Sequence, residues 1–225
     1  MASASADNTI KLWDIKGNYI NTLKGHKDKV YSIYFSSDGE KIISVSADKT
    51  IKLWSCSTGE EIKTFCGHKE WVNYATFSPD DQYIASASND NTIRIWDMNG
   101  KSKIIGRHRG KVWSVRFINE KTLVSASEDK TLKLWTLKEG FWKLEKEEVG
   151  IMQPNPIKGI SNKITNVKLS PNRKILAAPT NDGIIQIWNI EKLKIEPLEL
   201  NSLLNKGEDW LNNYRRSRVE QPPPQ

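Results

Sequence analysis

The sequence predicts an all-β chain built as an array of four-stranded antiparallel meanders, and two observations carry that prediction. The first is repetition. The phrase Asp48-Lys49-Thr50-Ile51-Lys52-Leu53-Trp54 recurs as Asp7 to Trp13, Asp90 to Trp96 and Asp129 to Trp135, and in worn form as Asp182 to Trp188. Its tryptophans, Trp13, Trp54, Trp96, Trp135 and Trp188, lie 41, 42, 39 and 53 residues apart, a period typical of repeat architectures. The second is alternation. After the turn-forming aspartate, Thr50 to Trp54 alternates side chains at period two with a β-branched and aromatic bias, so the phrase reads as a tight turn delivering a strand.

The other strands of the unit follow in order. Lys41 to Ser46 precedes the phrase and forms a hairpin with it. Earlier, Gly25-His26 leads into Val30 to Phe35, closed by the turn Ser36-Ser37-Asp38-Gly39. After Trp54, Ser57-Thr58-Gly59 turns into a fourth strand, Glu61 to Phe65.

These residues carry a resemblance. Gly25-His26, Phe35-Ser36-Ser37-Asp38-Gly39, Ser44 to Asp48 and Trp54 resemble the WD40 repeat, as do Gly67-His68, Phe77-Ser78-Pro79-Asp80, Ser86 to Asp90 and Trp96-Asp97. The resemblance spans roughly residues 1 to 200 and implies a β-propeller, a ring of four-stranded blades. The spacing by itself implies only repeated meanders.

Taken along the chain, residues 1–200 are read as the array, with a partial first blade at 1–24 and blades at about 25–66, 67–105, 106–149 and 163–200. Met1 aligns with Ile84 and thus falls at a core-type position in mid-strand. The long interval before Trp188 is read as a charged fourth strand starting at Gly140-Phe141-Trp142, followed by an extended loop, Gly150 to Pro156, whose prolines remove ladder donors. The last repeat has no Gly-His, and Ala178 stands where Ser125 stood, but Ser170-Pro171-Asn172 and Asp182-Gly183 keep both turns. Lys194 to Leu198 is read as its fourth strand. Residues 201–225 are read as a helical segment, Glu208 to Arg216, and a disordered tail. Leu203-Leu204, Gly207, Trp210-Leu211 and Tyr214 resemble the ends of large bacterial, especially cyanobacterial, WD40 proteins, which casts the chain as the C-terminal part of a larger protein. At ~40 residues per repeat, a common seven-blade ring needs roughly 290 residues. Four and three-quarter blades fall short, so self-association through open blade faces is expected.

Composition narrows the function classes. Hydrophobic content is only 37 %, yet nine tryptophans supply large apolar areas. No stretch approaches the ~18 apolar residues of a membrane-spanning helix. Cys56 and Cys66 are not spaced as a metal site, and two cysteines with no secretory signal before the first repeat favour reduced thiols and a cytoplasmic setting. The net charge is +7, but its lysines are scattered singly, as at Lys11, Lys52 and Lys133. Nucleic acid is therefore the alternative partner rather than the first.

His26, His68 and His108 recur regularly, which invites a metal or catalytic reading. The resemblance implies a structural one instead: a loop histidine bonds the turn aspartate and a second-strand serine, and that serine bonds the tryptophan indole. By position the sets are His26, Ser44, Asp48 and Trp54; His68, Ser86, Asp90 and Trp96; and His108, Ser125, Asp129 and Trp135. The third departs from the pattern, with Arg107 before His108 and Gly106 one residue further back. No nucleophile elbow or phosphate-cradling glycine loop occurs. The chain is accordingly read as non-catalytic, with no metal or cofactor.

Within the resemblance, the loop-side face of the array is lined by residues opening each innermost strand and by the residue before each turn aspartate. The opening residues are Lys29 and Tyr31, Trp71 and Asn73, Lys111 and Trp113, Lys163 and Thr165; the pre-aspartate ones are Ala6, Ala47, Asn89, Glu128 and Asn181. Lys29, Tyr31, Trp71, Asn73, Lys111, Trp113 and Lys163 are expected to form an aromatic, positively charged surface for a protein partner, the lysines favouring an acidic one.

Overall fold

A computed structural model describes residues 1–136, 155–157 and 162–190, all within one compact unit, Met1–Ile190. Five antiparallel sheets follow one another along the chain. The first has three strands, β1 (Ala2–Ala4), β2 (Thr9–Trp13) and β3 (Tyr19–Lys24). The second is β4 (Val30–Phe35), β5 (Lys41–Ser46), β6 (Thr50–Ser55) and β7 (Glu61–Cys66). The third is β8 (Val72–Phe77), β9 (Tyr83–Ser88), β10 (Thr92–Asp97) and β11 (Ser102–Arg107). The fourth is β12 (Val112–Asn119), β13 (Thr122–Ser127), β14 (Leu132–Thr136) and β15 (Asn155–Ile157). The described part of the fifth is β16 (Lys168–Leu169), β17 (Ile175–Pro179) and β18 (Ile185–Asn189). Every pairing joins strands consecutive in sequence, as a meander requires.

The recurring phrase works as its chemistry suggests. Asp48 Oδ1 accepts from the Thr50 backbone N–H at 2.9 Å and from the Thr50 hydroxyl at 2.6 Å. Asp90 does the same for Thr92 and Asp129 for Thr131. The residue between them turns into the left-handed region, with φ of 70° at Lys49, 67° at Asn91 and 65° at Lys130. An aspartate side chain that replaces a backbone turn bond is what holds a lysine in that conformation.

The core lies between sheets. Trp54, Ile42 and Val30 pack on Ile10, Leu12 and Leu23 of the first sheet. Trp96, Ile84 and Val72 pack on Ile51, Leu53 and Phe65, and Trp135, Leu123 and Val112 on Ile93, Ile95 and Ile105. Trp188 and Leu176 pack on Leu132 and Leu134. Each sheet thus presents a tryptophan on one face and an aliphatic pair on the other. Trp54, Trp96 and Trp135 are buried to 2 % exposure or less. At ~25 cal/mol/Å² over the ~200 Å² such a ring hides, each contributes at most roughly 5 kcal/mol.

The structure changes three expectations. Beside β14, the outermost place is filled by β15, with Pro156 opposite Lys133. Asn155 and Pro156 are therefore strand rather than loop, and the fourth sheet extends past 149. An outermost strand donates on one side only, so proline is tolerated there. Met1 is 63 % exposed rather than core: it pairs with Trp13, and among the described residues no sheet packs on the face the two share. Residues 140–148, the strand expected at Lys194–Leu198 and the helix and tail expected at 201–225 lie outside the described residues.

Candidate functional site

The three histidines are built into the sheets rather than into a shared site. His26 Nδ1 lies 2.7 Å from Asp48 Oδ2 and its Nε2 2.7 Å from Ser44 Oγ, which also accepts the Trp54 indole N–H at 2.7 Å. His68 makes the same contacts with Asp90 (2.8 Å) and Ser86 (2.7 Å), and Trp96 donates to Ser86. The third set is intact despite Arg107: His108 reaches Asp129 at 3.0 Å and Ser125 at 2.7 Å, and Trp135 donates to Ser125. The partners assign the tautomer. The aspartate can only accept, so Nδ1 carries the proton, and the serine hydroxyl donates to Nε2 while accepting from the indole.

Burial favours that neutral form. It holds the His68 pKa below 6.5 and brings His108 down to about 4, against the opposing pull of Asp90 and Asp129. Burial alone would raise the aspartates. Hydrogen bonds from histidine, threonine and backbone prevail, holding Asp48 and Asp90 well below the usual carboxylate range and Asp129 at about 2. Both ring nitrogens of each histidine are engaged within its own sheet. Among the described residues no group of three or more His, Cys, Asp or Glu is placed to hold a metal ion.

The glycine ahead of each histidine has a steric cause. A Cβ on Gly25 would lie 3.0 Å from the Trp54 ring and one on Gly67 3.2 Å from the Trp96 ring. In the third repeat Gly106 meets the same demand one residue early, and a bulge in the β10–β11 pairing absorbs the shift.

The loop-side surface gathers most of the expected partner residues. A cavity of about 620 Å³ is lined by Tyr31, Trp71, Asn73, Lys111 and Trp113, together with Tyr34, Tyr74, Asn89, Arg116 and Lys168. Tyr31 and Trp71 are 41 % and 44 % exposed, with ring centroids 5.8 Å apart. Asn73 is committed to structure: its amide donates to Asn89 at 2.7 Å and to the Val112 carbonyl at 2.8 Å, tying neighbouring sheets together. Two expected members lie elsewhere. Lys163 is paired with Glu128 at 2.5 Å, so its charge is neutralised at the rim, and Lys29 is exposed but does not line the cavity. Among the described residues no aspartate or glutamate lines this cavity, whereas Lys111, Arg116 and Lys168 do.

Sequence reasoning missed Tyr34, Tyr74, Arg116 and Lys168. A signal was present in the register. Tyr34, Thr76, Arg116 and Lys168 each pair with the second-strand residue that follows the tryptophan's cross-strand partner, so they are equivalent positions on four innermost strands.

Over 60 residues the chain is 45 % identical to the nuclear distribution protein PAC1 of Candida tropicalis, a stretch that makes up 26 % of this chain and 12 % of that protein. Over 57 residues it is 40 % identical to the WD repeat and SOCS box-containing protein 1 of Homo sapiens, covering 24 % and 14 %. It is 42 % identical over 57 residues to nuclear distribution protein nudF 2 of Aspergillus clavatus, covering 25 % and 13 %. The chain thus spans a small fraction of the length of the curated relatives it matches. The model of the WD domain, G-beta repeat, matches residues 1–14, 17–55, 59–97, 101–136 and 155–189. With well over half of its length so matched, and with five sheets joined tryptophan to aliphatic pair, the chain belongs to the WD40 repeat family.

Proposed function

We propose that this chain is a non-catalytic interaction module whose loop-side cavity receives an acidic segment of a partner protein. One observation carries the reading: among the described residues the cavity combines five aromatic side chains with three cations and is lined by no carboxylate. Aromatic rings provide contact area at low entropic cost, and unopposed cations select and steer negative charge. Its membership of a repeat family, and relatives named for nuclear distribution and for a SOCS box, accord with a scaffold rather than an enzyme. The setting within a larger bacterial protein is supported only by the resemblance at residues 203–214; the relatives named above are fungal and human. A cytoplasmic setting is supported by the free thiols of Cys56 and Cys66.

The test uses a fluorescent glutamate-rich peptide with one central tryptophan, titrated at physiological ionic strength. Trp71→Ala and Trp113→Ala are each expected to weaken binding by ~1–3 kcal/mol with β-sheet content unchanged. A Lys111→Glu reversal is expected chiefly to slow association. Unaltered affinity in the double tryptophan variant would remove the cavity from consideration. Binding of random-sequence RNA with a steep salt dependence, in place of the peptide, would favour the nucleic-acid alternative.

The uncovered sheet faces support a second component of the reading, self-association. Ile185 and Ile187 are 63 % and 67 % exposed and stand where Ile93 and Ile95, or Leu132 and Leu134, receive the next sheet's tryptophan. On the first sheet, Trp13 lies on the face that in later sheets packs on such a pair. The two faces are complementary by the chain's own packing rule, which fits head-to-tail association of copies.

A further inference from the structure

We propose that Arg116 and Lys168 form a seat for an oxyanion at the inner end of the loop-side cavity, and that its occupant is a carboxylate side chain of the acidic segment bound there. The inference rests on the interaction reading above and specifies what that segment must carry.

The position follows from register. Arg116 of β12 and Lys168 of β16 occupy equivalent places on neighbouring innermost strands, where Tyr34 and Thr76 stand in the preceding sheets. Tyr34, Arg116 and Lys168 also line a second cavity of about 800 Å³ that opens among the turns of Ser36-Ser37, Ser78-Pro79 and Ser170-Pro171. The pair therefore stands where the two cavities share their walls, at the inner limit of the loop-side one.

Arg116 is held like a binding group. It is only 9 % exposed, and its guanidinium carbon lies 4.5 Å from the Tyr74 ring centroid and 5.2 Å from that of Tyr34. Its Nε donates to the Val167 carbonyl at 3.4 Å. Rings and carbonyl fix the plane of the group, while no carboxylate among the described residues pairs with it. Arg116 lines both cavities, so an incoming group can reach it. A guanidinium withdrawn from water and unpaired is costly, and an anion reaching it recovers that cost. The ring contacts offset part of it now.

Lys168 adds a second cation to the same wall. Burial, and after it the charge of Arg116, hold its pKa below the usual lysine value. Two cations on one cavity wall, close enough for the charge of one to act on the other, gain from an oxyanion that both can reach. A rigid guanidinium fork beside a mobile ammonium suits a carboxylate, the fork supplying direction and the ammonium charge. The hydroxyl-bearing rings of Tyr34 and Tyr74 lie beside it; among the described residues no acidic side chain lines the loop-side cavity, and Asp81, which lines the second cavity, accepts from the Ser37 backbone N–H.

The experiment titrates the full chain with the glutamate-rich peptide, with its glutamine counterpart and, separately, with inorganic phosphate. Arg116→Met keeps an unbranched apolar stem over the tyrosines and should weaken the glutamate peptide about tenfold or more, the scale for removing one partner of a buried charge pair. Lys168→Met, at a more exposed position, should weaken it severalfold and serves should the first variant fold poorly by circular dichroism. The glutamine peptide should bind weakly and equally to all three proteins. Glutamate-peptide affinity that is unchanged in Arg116→Met and Lys168→Met but lost in the double tryptophan variant would overturn the seat and leave the interaction reading standing. Phosphate that raises the melting temperature of the wild type alone, with no peptide bound by any protein, would overturn both the carboxylate occupant and the interaction reading. Absence of binding by either probe would overturn both as well.

Discussion

Gly106 lies so close to Trp135 that a methyl group in place of its hydrogen would sit 2.2 Å from the indole ring. That contact explains why a glycine stands near the histidine in each of the three complete repeats: the tryptophan of the following strand pair closes over it. Gly106→Ala is expected to destabilise the array by ~1–3 kcal/mol, the usual cost of forcing a methyl group into a packed core. Gly25→Ala, with 3.0 Å of clearance to Trp54, should cost less. Denaturant midpoints for the two variants check the order, and equal shifts would contradict the steric account.

The aspartates divide in the same way. Asp90 accepts from His68, from the Thr92 hydroxyl and from the backbone of Lys69 and Thr92. Asp90→Ala leaves these donors unpaired near a buried histidine and should cost ~1–3 kcal/mol. Asp182 is exposed, accepts from the Thr180 hydroxyl and has no histidine partner, so Asp182→Ala should shift the midpoint less. A larger effect at Asp182 would refute the assignment.

Acid should loosen the fold before the carboxylates titrate. His68 and His108 have lowered pKa values in the folded chain, from 6.5 to about 4 for His108. The unfolded chain therefore takes up protons first, and the stability these residues confer is complete above pH 6.5 and is lost as pH falls toward 4. The lowered aspartates act with the same sign at lower pH, below their ordinary 3.8. Melting temperature should be flat from pH 8 to 7 and decline from about 6.5 downward. A rise between pH 6.5 and 5 would show that the histidines are charged in the fold.

Self-association gives a fourth test. Ile187→Asp places a charge on the exposed face of β18, where no sheet of the described residues packs. It should reduce the weight-average mass in sedimentation equilibrium at unchanged β content, and Trp13→Ser should do the same from the other face. A monodisperse wild-type monomer would exclude this part of the proposal.

Much of the fold was legible because the repeat prints the same local chemistry several times. The aspartate turn, the alternating strand after it and the tryptophan are each readable within seven residues, and their recurrence gives the sheets. What was not legible depended on long-range geometry. Nothing local says that Asn155–Ile157 would lie beside β14, since an edge place accepts any extended segment. Lys163 reads as a free cation until its reach to Glu128, 35 residues earlier, is seen. Arg116 reads as a strand residue like any other, and only its burial against Tyr74 and Tyr34 marks it out.

In the function proposed above, the loop-side cavity selects acidic protein segments through aromatic contact and positive charge. Calorimetric titration of the full chain with the glutamate-rich tryptophan peptide and with its lysine-for-glutamate counterpart, at low and at physiological salt, checks this selectivity. The acidic peptide should bind saturably, more weakly but still measurably at physiological salt, and the basic one should not bind. Equal binding of both peptides, or acidic-peptide binding that survives Trp71→Ala and Trp113→Ala together, would contradict it.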